Sequence, residues 1–277
     1  MTSTALARSL EADAETREPV PRTRRKPVAR QVPAVTRAIA ILRLLGKTDA
    51  PLGVNSIARA LGLVPSTCLH ILRVLVAEEL VACDPETKHY SLDEGILALA
   101  RSVLRRNSFG HVVQPMLNEM SQRYGVAVVG VKVSGLDHIV VVAIAKSEQP
   151  MRIHVEIGSR FPALISSTGR CLAAFGGYPM GELEARVRAL RWDRPPSLKR
   201  WRAEVAAARR NGYSVDEGNY MSGITVMAAP VLGRGGRMTH GVVAVGVSEQ
   251  IRRHGTAKLG EALKAIAARV SGEFATG

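Results

Sequence analysis

Residues 54–75, VNSIARALGLVPSTCLHILRVL, decide how the chain reads. A helix-turn-helix needs a small residue where its two helices touch and a glycine in the turn four positions later. Ala58 and Gly62 have that spacing. Glycine suits the turn because, without a Cβ, it takes the left-handed conformation at no steric cost. Asn55 is placed to cap a short helix over 56–61, and Pro65 suits the first turn of a second helix running to about residue 79. Cys68, Ile71, Leu72 and Leu75 recur at helical spacing and, with Ile57 and Leu63, supply a small core. If the second helix enters a major groove, its outward face presents Ser66, Thr67, His70 and Arg73 to phosphates and base edges. The alternative is a helix face that meets only water.

Upstream, a helix starts at Pro33 and carries Val35, Ile39, Leu42 and Leu45 on one face; Gly46 and the DAPLG stretch at 49–53 end it. Arg37, near its start, is a candidate phosphate contact. Downstream, LVAC at 80–83 and KHYSL at 88–92 flank DPET, two β-prone segments around a proline turn. A hairpin there makes the motif a winged one, with Lys88 and His89 at the wing. Residues 33–92 thus form one domain. Residues 93–110 read as a linker helix. Residues 1–32 read as a disordered basic tail, poor in large apolar groups, which is either solvated or an arm on DNA phosphates.

Residues 111–277 alternate strands and helices. Strands are expected at 126–134, 138–145, 151–157, 213–216, 224–230 and 239–247, and helices at 113–124, 170–175, 181–190, 198–211 and 260–273. The pattern is α+β around a largely antiparallel sheet.

Composition narrows the function. The chain of 277 residues is 46% hydrophobic and carries a net charge of +14, which points to a polyanionic partner. Residues 111–277 hold 22 Lys/Arg against 13 Asp/Glu, so most of the excess lies outside the helix-turn-helix, and net charge alone does not locate a DNA site. Nine Lys/Arg cluster at 186–210; they read as solvated helix faces, or as a partner contact. The three cysteines, Cys68, Cys83 and Cys171, are scattered, against both a disulfide framework and a zinc site. There is no GxSxG, Walker loop or HExxH, so no enzyme class, metal or cofactor is expected. With no apolar leader and no long apolar run, the expected location is the cytoplasm, associated with the nucleoid, with no membrane contact.

Taken in this order, helix-turn-helix, wing, linker helix and second domain resemble the IclR family of bacterial transcriptional regulators. The resemblance spans roughly 34–271. Its marks are RAI at 37–39 with IL at 41–42, Ser66-Thr67, DPET followed by YSL, GSRFP at 158–162 with Gly169, and RNGYSVDE at 210–217 with Gly223 and AAPV at 228–231. Departures are Pro65 and His70 where the family often has basic residues, and His89 for a wing arginine, so an operator sequence does not carry over. The resemblance implies a GAF-like C-terminal domain, a homodimer or homotetramer, a double-stranded DNA operator and a small organic acid effector. It implies a non-enzyme. It places the effector pocket between the 161–169 loop and the sheet, at Phe161, Ser167, Thr168, Asp216, Ile224, Val226 and Ser248. SSTG at 166–169 precedes an expected helix, whose free N–H groups favour a carboxylate; ordinary N-capping by Ser167 or Thr168 is the alternative. Asp216 bonds an effector or caps a turn. Val226 stands where relatives often have cysteine, which favours an aromatic or larger hydrophobic effector over a tiny polar acid. An architectural DNA-binding protein without an effector, and an enzyme acting on the bound molecule, are the rival readings.

Overall fold

The computed structural model describes residues 32–48, 50–106, 108–147 and 155–276. The tail expected over 1–32 lies outside them except for Val32. The described chain divides into two compact units, with the division between Ala100 and Arg101.

In the first unit, α1 (Pro33–Leu45) opens on its proline. Its buried face is Ile41 and Leu45, with Ala38 and Leu42 beside them. Val35 and Ile39, expected to face inward, are 59% and 42% exposed. The helix is apolar on two sides, so periodicity alone selects the wrong stripe. A short β1 (Leu52–Gly53), read from sequence only as a turn, leads into α2 (Val54–Leu61), which begins before the expected Asn55 cap. Gly62 then takes φ +62°, and the Leu63 N–H donates to the Ala58 carbonyl at 2.8 Å, closing the helix end. The axis bends by 113° into α3 (Pro65–Ala77). Ile57, Ala58, Cys68, Leu72 and Leu75 are all buried here and join Ile41 and Leu45 in one core. β2 (Val81–Cys83) and β3 (His89–Leu92) form the hairpin, and β3 also pairs with β1, giving a three-stranded sheet in the order β1-β3-β2. The Asp84 carboxylate shapes the turn by accepting from the N–H groups of Glu86 and Thr87 at 2.9 and 2.7 Å. α4 (Gly95–Arg106) follows, with Leu97, Leu99 and Val103 exposed.

The second unit opens with α5 (Ser108–Tyr124), which accommodates Pro115 and so starts earlier than expected. β4 (Ala127–Ser134), β5 (His138–Ala145), β6 (Arg160–Pro162), β7 (Ser214–Glu217), β8 (Ile224–Leu232) and β9 (Met238–Val247) make one antiparallel sheet in the order β6-β5-β4-β9-β8-β7. The strand expected over 151–157 falls partly outside the described residues. Val155 and Glu156 are not strand, and β6 is the edge instead. Alternation sorts the side chains: Val128, Val242 and Ala244 pack on α5 and on α10 (Thr256–Thr276), while Val129, Val131 and Val243 face the other side. That other side is covered by α6 (Ser166–Phe175), α7 (Met180–Arg188) and α8 (Leu198–Asn211), around the fully buried Trp201. α9 (Ser248–His254) was not anticipated. The whole is the expected α+β architecture: a winged helix-turn-helix, a following helix and a sheet flanked by helices.

His240 tests the packing of this sheet. It sits on β9 opposite Lys132 of β4, its ring stacked on Phe109 with centroids 4.3 Å apart. Burial first, and the Lys132 charge second, push its pKa down from 6.5 to about 4. Between those values the unfolded chain binds a proton that the folded chain refuses. Stability is therefore full above about pH 6.5 and falls by roughly 2–3 kcal/mol as the pH drops towards 4. Urea unfolding across that range should show the decline, and His240→Gln should flatten it. Parallel profiles for the two chains would remove His240 from the account.

Candidate functional site

Two places gather the polar residues singled out above. The first is the outer face of α3. Ser66, His70 and Arg73 are exposed and Thr67 is half-buried, so the helix sets all four along the side opposite Cys68, Leu72 and Leu75. No side chain caps α3: Val64 precedes it, which leaves the helix start free for an anion. Lys88 and His89 are exposed at the wing tip, where Lys88 takes φ +55° and the His89 Nδ1 lies 2.9 Å from the Thr87 carbonyl oxygen. Arg37 is exposed on α1.

The second place is a cavity of about 580 Å³, its mouth included, on the α6 side of the large sheet. Its floor is aliphatic: Val129 and Val131 of β4, Ile139 and Val141 of β5, Val243 and Val245 of β9, and Ile224 and Val226 of β8. Phe161, Val155 and Ile165 wall one side, and Tyr220 and Met221 another. Among the described residues, polar side chains enter the lining only as Ser166, Thr168 and Tyr220. Ser166 is 4% exposed, has φ +57°, and its hydroxyl has no hydrogen-bond partner among the described residues.

Four expected pocket residues meet in this cavity: Phe161, Thr168, Ile224 and Val226. Three do not line it. Ser167 is fully buried within α6, which starts at Ser166 rather than at Arg170, and neither Ser167 nor Thr168 caps the helix. Ser248 accepts a 2.8 Å hydrogen bond from the Thr225 hydroxyl. Thr225 lies between Ile224 and Val226 on β8, so alternation turns it, and Ser248 with it, to the opposite face. Asp216 is 1% exposed and its carboxylate is already engaged: Oδ1 accepts the Asn219 N–H at 2.9 Å, and Oδ2 lies 3.6 Å from Arg170 Nη1. Sequence reasoning read Ser166 only as part of the SSTG segment and missed Tyr220 and the valines of β4, β5 and β9. The period-two alternation of those strands was the signal that marks the valines.

Arg170, also missed, is fully buried. Its Nε donates to Glu204 at 2.6 Å and its Nη2 to the Asn219 side-chain oxygen at 3.0 Å, with the guanidinium 5.9 Å from the Trp192 ring centre. The basic run at 186–210 is partly balanced by acids: Arg202 grips Glu184 with two hydrogen bonds, Arg200 pairs with Glu204, and Arg186 with Asp137 and Glu182. The bonds from Arg202 hold the Glu184 carboxyl below its ordinary pKa. Among the described residues no group of three His, Cys, Asp or Glu could hold a metal ion.

Comparison with known proteins shows the family. The model of the IclR helix-turn-helix domain matches residues 34–85, and that of the bacterial transcriptional regulator IclR C-terminal domain matches residues 101–272. The glycerol operon regulatory protein of Streptomyces griseus is 28% identical over 233 residues, which is 82% of this chain and 88% of its own. The crystal structure of an IclR transcriptional regulator from Alicyclobacillus acidocaldarius superposes with a TM-score of 0.73 at 27% identity, over 87% of this chain and 98% of that one. An IclR homologue from Microbacterium hydrocarbonoxydans, solved in complex with 4-hydroxybenzoate, shares the fold with a TM-score of 0.71 at 18% identity, again over 87% and 98%. With one match running through the helix-turn-helix and the other through nearly all of the sheet unit, this chain belongs to the IclR family of bacterial transcriptional regulators.

Proposed function

We propose that this regulator binds a double-stranded DNA operator through α3 and the wing, and that a small organic acid with an apolar, preferably aromatic, body controls it from the cavity. The observation that carries the reading is the distribution of polarity in that cavity. Its floor is aliphatic and its walls carry Phe161 and Tyr220, and the hydroxyls of Ser166 and Thr168 sit together at the uncapped start of α6. Such a site rewards an apolar ring with one carboxylate at its end. The Microbacterium homologue bound to 4-hydroxybenzoate supports the same ligand class.

In this reading residues 33–92 are the DNA-binding domain, 93–110 the linker and 111–277 the effector-binding and oligomerisation domain. Ser66, Thr67, His70 and Arg73 read bases or phosphates, while Arg37, Lys88 and His89 touch phosphates. Phe161, Thr168, Ile224 and Val226 contact the effector; Ser167, Asp216 and Ser248 act on the site from behind its lining. Exposed apolar side chains on α1 (Val35, Ile39) and α4 (Leu97, Leu99, Val103) support a homodimer, and the family resemblance extends this to a homotetramer. The protein works in the cytoplasm at the nucleoid, is not an enzyme and needs no cofactor. In support, no single helix among the described residues is long and apolar enough to cross a membrane.

A thermal-shift screen of aromatic and short-chain acids, followed by footprinting upstream of the protein's own gene, tests the reading. An aromatic acid should raise the unfolding temperature and change the footprint. Thr168→Val, which keeps shape and removes the hydroxyl, should weaken that acid about tenfold in calorimetry and leave operator affinity unchanged. Binding that ignores unrelated competitor DNA but does not respond to any acid would eliminate the effector half. Loss to any competitor would mark an architectural protein instead.

A further inference from the structure

Asp216 and Val226 are directly opposed on β7 and β8, so their side chains share one face of the sheet, and Val226 lines the cavity. A full negative charge therefore lies just behind the wall of a site that the reading above gives to an anion. Left alone in an apolar interior, that charge would repel a carboxylate with little screening. The protein meets it with a buried cation, Arg170, whose Nη1 lies 3.6 Å from the Asp216 carboxylate.

The other charges close to the pair leave this balance intact. Glu204 takes the Arg170 Nε, but it is only partly buried and has a second partner in the exposed Arg200 at 2.8 Å. Two arginines thus face two carboxylates. Asn219 is neutral, and Asp193 is occupied with the Ser222 N–H and lies outside the cavity lining. Glu217, next along β7, is exposed to solvent.

We infer that Arg170 is a specificity-determining residue of the cavity: by cancelling the charge of Asp216 behind Val226, it allows a carboxylate ligand to be preferred over its neutral counterpart. The inference rests on the cavity being the effector site. Arg170 does not line the cavity and acts through Asp216, so its signature is a change in ligand discrimination rather than a uniform loss of affinity.

Benzoate and its neutral analogue benzamide provide the test. Their affinities are measured by calorimetry for the full-length protein and for Asp216→Asn, Arg170→Met and the double variant. Removing only the anion should raise the benzoate-to-benzamide preference about tenfold, since Arg170 then has no partner on the cavity side. Removing only the cation should lower it by about the same factor. The double variant, neutral on both sides, should return close to the wild-type ratio. Asp216→Asn and the double variant keep the inference open to refutation if Arg170→Met fails to fold. A ratio that stays constant across the variants, with both ligands weakened in parallel, would show Arg170 to be purely structural and overturn the inference. Wild-type protein that binds neither compound, nor any acid in the wider screen, would instead remove the effector site itself.

Discussion

Gly169→Val is expected to unfold the C-terminal unit at a much lower temperature while the DNA-binding unit stays folded. A Cβ at position 169 would stand 2.1 Å from both the carbonyl carbon and the oxygen of Leu164, and 2.5 Å from its Cα. These are backbone atoms, so no flexible side chain can swing aside. The start of α6 must move away from the segment that leads into it, and Ser166 and Thr168 move with it, so the cavity is lost together with the packing. Overpacking of this kind, against backbone, costs roughly 3 kcal/mol, a large share of the 5–15 kcal/mol that holds a typical domain together. The chain offers a clean readout, because both tryptophans, Trp192 and Trp201, lie in the C-terminal unit. Their fluorescence follows that unit alone, and the midpoint should fall by roughly 6–12 °C. Gly181 on α7 is the control: nothing among the described residues lies within 4 Å of an added Cβ, so Gly181→Ala should be neutral or stabilising by about 0.5–1 kcal/mol. Equal melting curves for Gly169→Val and the wild type would mean that α6 does not pack against Leu164 as described.

Legibility in the sequence followed the range of the interactions. The helix-turn-helix was readable because its determinants are local: Ala58 and Gly62 set the turn, and Cys68, Leu72 and Leu75 set the buried face within one helix. The wing was readable for the same reason, since Asp84 organises its own turn. α1 shows the limit, because a helix with apolar residues on two sides does not declare which one is buried. The SSTG segment read as a loop, because serine, threonine and glycine cluster in turns; in the structure it is the first turn of α6, with the Gly169 N–H bonded to the Ile165 carbonyl at 3.0 Å. The cavity was half legible. Phe161, Thr168, Ile224 and Val226 were named through family resemblance, yet the valine floor comes from strands β4, β5 and β9, far apart in sequence. Asp216 was recognised as special, with two roles open, an effector bond or a turn cap, and its Oδ1 does accept the Asn219 N–H. Its partner Arg170 lies on a different element, and only the fold brings the two together.

Arg73→Glu carries the largest expected effect on DNA. Arg73 is exposed on α3, on the same side as Ser66 and His70, so its substitution touches neither Leu72 nor Leu75 in the core and should leave the melting curve unchanged. On DNA the change both removes a cation and places an anion against the phosphates. A single arginine contact to a base or phosphate is worth about 1–3 kcal/mol, and the proposed homodimer would present α3 twice, so operator affinity should drop roughly 30-fold to 10⁴-fold. The milder Arg73→Ala separates the two ways the residue can act. If Arg73 grips a phosphate, affinity falls by a similar factor on specific and unrelated DNA, and the slope of log affinity against log salt becomes shallower by about one unit for each half-site. If it reads a base edge, the loss is confined to the operator and disappears when the contacted base pair is changed. Thr67→Ala, at the start of the same helix, should give a smaller loss of the second kind. Unchanged operator affinity in Arg73→Glu would take α3 out of the groove and leave the wing or α1 as the reading element.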